Sequence, residues 1–183
     1  MTKLLSIVAL FVLMTLDMVA TPPKPATFVE NRGIEPSLEL IKYMKSDISG
    51  EVERVIYVWN DTYENPSEQI AELITIFRTL SDSPKLAKQL LLNKKFELYR
   101  VLHTEVIVRA LDRFQNDINR AYRALFNYSS VIIGTQDGSM IKRYDIMVKS
   151  MKIMVDSYNH LVKVTNSEYK KRYLPYYKLN YKR

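Results

Sequence analysis

The chain predicts an all-α fold: a bundle of four helices, or five if the central one is broken near Asn93-Lys94-Lys95. Three observations carry this. Apolar residues recur at steps of three and four over long stretches, most strictly at Ile107, Leu111, Phe114, Ile118, Ala121 and Leu125, which fall on one face of a helix. Only four glycines occur in 183 residues. Asn65-Pro66 and Ser83-Pro84 are cap-plus-proline signals of the kind that start helices. The chain contains no cysteine, so packing alone must hold the fold.

The amino terminus places Lys3 before a run from Leu4 to Leu16 that is apolar except for Ser6 and Thr15, closed by Asp17 and followed by Val19-Ala20. This is the layout of a secretory signal peptide, residues 1–20, with cleavage expected after Ala20 or one residue later. Crossing a bilayer takes about 20 apolar residues and the run is shorter. The mature chain is therefore expected to be exported and extracellular. It does not span a membrane, because no later segment is apolar enough.

Residues 21–35 carry three prolines and a glycine without periodicity and read as an extended arm, with Phe28 and Val29 as candidates to pin it to the body. Residues 36–168 form the bundle. Its first helix is expected from Pro36 or Ser37, burying Ile41, Met44, Ile48, Val52, Val55 and Trp59, and fading after Asn60. Gly50 lies within that pattern, where a glycine weakens a helix unless a neighbour approaches closely or the axis bends. Asn65, Pro66 and Glu68 start a short second helix that buries Ile70, Leu73, Ile74 and Phe77 and stops at Ser81-Asp82. Ser83-Pro84 then launches a central helix toward Asn127. Its apolar stripe drifts from Leu91, Leu98, Leu102 and Val106 into the strict run above, which suits a helix with several neighbours. Thr135-Gln136-Asp137-Gly138 is a loop, and a last helix from Ser139 to about Val164 carries Ile141, Tyr144, Val148, Met151, Val155, Tyr158 and Val162 inward and Lys142, Lys149, Lys152 and Lys163 outward.

Few residue patterns point to chemistry. His103 and His160 lack the paired spacing of a zinc helix, and without cysteine they read as structural or surface residues. Close carboxylates, such as Glu51 with Glu53 or Asp112 with Asp117, lie among cations on polar helix faces. No nucleophile elbow or phosphate-cradling glycine loop occurs. The expectation is a non-enzymatic interaction protein without a cofactor or metal, acting on an extracellular protein or cell surface.

Three features could serve such a role. Asn60 and Asn127 head glycosylation sequons, the second flanked by Phe126 and Tyr128. Met140, Met147, Met151 and Met154 gather in the last helix, either as core filler or as an adaptable face for a partner helix or a small apolar ligand. A carrier of such a ligand is the alternative function. Residues 169–183 form a tail with Lys170, Lys171, Arg172, Lys178, Lys182 and Arg183 and no acid, so it holds six of the net seven positive charges. Five of the thirteen tyrosines interleave with them, and Pro175 interrupts helical continuation. Such a stripe suits polyanions: sulfated glycans, anionic lipid or nucleic acid, the last being the poorest fit to an exported chain. Lys170-Lys171-Arg172 also resembles a processing site, whose cleavage would free a short tyrosine-rich peptide.

Overall fold

The computed structural model describes residues 25–26, 43–61, 63, 65–93, 101–133 and 139–175. The described elements are all helical. A π-helical turn, Met44–Ile48, leads into α1, Ser49–Asn60; α2 spans Pro66–Leu92, α3 Thr104–Ile133 and α4 Ser139–Glu168, and a second π-helical turn, Tyr169–Tyr173, prolongs α4. This is the all-α bundle that the apolar spacing predicts.

The helices partition differently from the local signals. α2 does not stop at Ser81: it continues through Pro84 to Leu92, where Asn93 caps it. Ser83 is buried and its hydroxyl donates back to the Thr79 carbonyl instead of capping forward, while Ser81 does the same to Phe77. The reason is the stripe Leu73, Phe77, Leu80, Pro84, Ala87 and Leu91, which keeps one face against the core across the proline. Burial along that stripe outweighs a cap signal worth about 1 kcal/mol. The expected central helix is thus divided at Asn93, its first part belonging to α2 and its second to α3. Ile107, Leu111, Phe114, Ile118, Ala121 and Leu125 of α3 are all buried, as their spacing predicts.

Helix starts and ends follow their side chains. At the start of α2 the Asn65 carboxamide oxygen accepts from the Ser67 N–H at 3.0 Å and its amide donates to Glu68. At the end of α1 Gln69 donates to the Val58 carbonyl at 2.8 Å, covering an orphan acceptor. Gly50 has no neighbour within 4 Å of where a Cβ would stand, so close approach is not its reason. The irregularity lies just before it, in the π-helical turn that places Met44 and Ile48 in the core. The expected start of the first helix, with Ile41, lies outside the described residues, as do Phe28, Val29 and the loop at 134–138.

Successive helices pack as neighbours, α1 on α2, α2 on α3 and α3 on α4. α3 and α4 run antiparallel: Asn127 meets Arg143, the Phe114 ring meets Tyr158 at 5.8 Å, and Val106 lines a cavity with Val164. Across the bundle, long side chains join α1 to α4, with Tyr158 bonding Ser49 at 2.8 Å.

Candidate functional site

The site is the carboxy-terminal end of α4, where the basic cluster meets the bundle. The helical backbone continues past Glu168 because Tyr169 and Tyr173 have core to enter: both are about 1% exposed and their rings stack at 5.3 Å. The helix end expected near Val164 is thereby corrected, and of the two fates open to the tail's tyrosines, packing back on the bundle or binding a partner, Tyr169 and Tyr173 take the first. The π-helical turn lets two tyrosines four apart point inward together, while Lys170, Lys171 and Arg172 remain exposed. The helical stretch includes Pro175, so the proline does not keep it from passing Glu168. Lys178, Lys182 and Arg183 lie outside the described residues.

Glu168 anchors the turn. Its Oε2 accepts from Arg172 Nε at 2.8 Å and from the backbone N–H of His103 at 3.3 Å, just before α3 begins. The carboxylate therefore sits at the positive end of α3 and joins the end of α4 to the start of its neighbour. Of the cations expected to bind a polyanion, Arg172 is thus already paired.

Charge is divided unevenly over the bundle. α1 with its π-helical turn and α2 carry five cations against six acids; α3 and α4 with its π-helical turn carry twelve against six. The chain-wise sum, which assigns the excess to the tail alone, hides this division between faces.

Most methionines of α4 are core filler: Met147, Met151 and Met154 are buried and Met140 is half-buried. Cavities between α2 and α3 at Lys88 and Asp112, beside Arg143 and Ile146, and beside His160 and Val106 are lined by other residues. Ile141, expected inward, is 49% exposed, while Val155, Tyr158 and Val162 hold the seam. Asn60 is exposed as the last residue of α1. Asn127 is exposed too, but it sits within α3 and not at its end, because Val131 is buried and carries the helix on to Ile133. Its carbonyl accepts from Arg143, and Ser129 of the sequon is buried with its hydroxyl bonded to Phe126. His103 and His160 are both exposed, and no group of three metal-ligating side chains occurs among the described residues. No helix among them is long and apolar enough to cross a membrane.

One site has no readable trace in the sequence. Ala26 of the arm is held by two adjacent residues of α4: its N–H donates to Asn159 Oδ1 at 2.6 Å and its carbonyl accepts from the Tyr158 hydroxyl at 2.9 Å. The same hydroxyl meets Ser49, so Ala26 is inlaid where α1 faces α4. Burial pushes the Tyr158 phenol up to about 12, against a lowering by the Ser49 hydrogen bond.

Compared with protein-family models, curated proteins and solved structures, the chain matches none.

Proposed function

We propose that this is an exported, non-enzymatic interaction protein that engages a polyanionic extracellular surface through the basic half of its bundle. The observation that carries the reading is the charge division: twelve cations against six acids on α3, α4 and the π-helical turn, opposite a slightly acidic half. Lys170 and Lys171 stand exposed on a helical turn held by the buried Tyr169 and Tyr173, so they meet a partner with less ordering loss than on a loose tail. Export rests on the amino-terminal run, residues 1–20, and the exposed Asn60 is the better placed of two proposed glycan acceptors.

Retention on a heparin column tests this. Binding should fall steeply with salt, since each neutralised anion releases counterions. Lys170→Glu with Lys171→Glu should elute at clearly lower salt with unchanged helicity. Equal elution of the variant and the parent chain would refute the assignment to this turn, and failure of the parent chain to bind at all would refute the reading.

A further inference from the structure

The outward face of α4 combines two features that the polyanion reading does not use together. Ile146 and Ile153 are 49% and 38% exposed, large apolar side chains seven residues apart and so in one row along the helix. Lys149 stands three residues after the first and four before the second, on the same side of the helix, and Lys142 stands four before Ile146. All four side chains are exposed or nearly so. Helical spacing puts Asp145 and Asp156 on the far side of the lysine row from the isoleucines.

The opposite border of this row belongs to α3. Ile146 shares a cavity of about 300 Å³ with Arg143 and with Ala124 and Asn127 of α3. The antiparallel register then carries Arg120 alongside the stretch between the two isoleucines. Its guanidinium is exposed and pairs with the buried Asp117 at 3.5 Å. An apolar row bordered on both sides by cations fits one chemistry. The rows of a sulfated glycan would use the lysines and leave the isoleucines in water, whereas an anionic bilayer surface takes both, headgroups against the cations and the apolar tips just beneath.

We infer that this face of α4 docks the bundle on an anionic phospholipid surface, with Ile146 and Ile153 entering the headgroup boundary. The inference rests on the polyanion reading above and names its partner.

The test is co-sedimentation of the full secreted chain with phosphatidylcholine vesicles and with vesicles containing phosphatidylserine. Binding is expected to the second and not to the first. The double variant Ile146→Ser, Ile153→Ser should lose at least about ten-fold in vesicle affinity, because apolar area sets the depth of insertion, while its retention on heparin stays unchanged. Ile141→Ser is the control: that residue is equally exposed on α4 but lies off this row, and it should change neither readout. Vesicle binding that ignores the double variant overturns the inference. So does retention on heparin without vesicle binding, which leaves the polyanion reading standing, whereas absence of both refutes the two together.

Discussion

Tyr158 shows how much one hydroxyl can organise. It meets Ser49 of α1 and the Ala26 carbonyl of the arm, and its ring lies against Phe114. Tyr158→Phe keeps the ring and removes both bonds, leaving Ser49 with its longer contact to Glu53 and the half-buried Ala26 carbonyl without this donor, and should lower stability by about 1–2 kcal/mol in a denaturant titration. Asn159→Ala should cost less and act on the arm, speeding amide exchange at Ala26, whose N–H loses its acceptor. Burial raises both Tyr128 and Tyr158 to about 12. A phenol whose folded pKa lies above its unfolded value of 10 favours the fold fully below pH 10, and that contribution disappears as pH rises toward 12. The bundle should therefore lose stability in that window, read as a denaturant midpoint that falls as tyrosinate absorbance rises. Titration of these two tyrosines near pH 10 with an unchanged denaturant midpoint would contradict the raised values. At Gly50, where nothing stands within 4 Å of the missing Cβ, alanine should stabilise by about 0.5–1 kcal/mol by favouring helix over the unfolded chain.

At the level of elements, the sequence was most legible where spacing alone decided and least where two local rules competed. The buried row from Ile107 to Leu125 needed nothing but periodicity. Ser83-Pro84 gave a correct local preference that lost to the continuous apolar face of α2, a tertiary effect with no local mark. Ring and missing N–H still weigh on that helix, so Pro84→Ala should raise stability by about 1–3 kcal/mol, read as a higher denaturant midpoint. The end of α4 misled for a related reason. Pro175 and a dense run of cations set the helix end too early and left open whether the tyrosines pack or bind, and Tyr169 and Tyr173 find buried places through a π-helical turn. A chain ending at Glu168 should therefore melt well below the parent, and Tyr173→Ala alone should cost about 3 kcal/mol. Cleavage after Arg172 would need this turn to open and expose both rings, so a trypsin-like protease should leave that bond intact in the folded protein while cutting it in the unfolded one. The Ala26 clamp was illegible altogether, since its partners lie more than 130 residues away and nothing in Tyr-Asn signals that it will hold a distant backbone N–H and carbonyl.

For the molecule as a whole, charge along the chain and charge in space are different quantities. Summed along the chain, six of the seven net charges fall after Glu168. Folding lays Lys142, Lys149, Lys163, Lys170 and Lys171 along one helix and adds the arginines of α3 beside them, so the basic element extends from the terminus over half of the bundle. A sequence reading misses this because it cannot know that α3 and α4 are neighbours or that α1 and α2 gather on the acidic side. The consequence separates a bundle-wide site from a tail. Arg123 of α3 is exposed and lies far from residue 170 in the chain. If half of the bundle faces the polyanion, Arg123→Glu should lower the salt at which the protein leaves heparin and reduce the salt slope by about 1, as expected for one lost anion contact. Lys85 of α2 is equally cationic and exposed, but it belongs to the other half and already pairs with Asp82 at 2.9 Å. Lys85→Glu should leave elution nearly unchanged even though it alters net charge by the same amount. Equal shifts from the two reversals would mean that only total charge matters, and the polarity of the bundle would then have no part in binding.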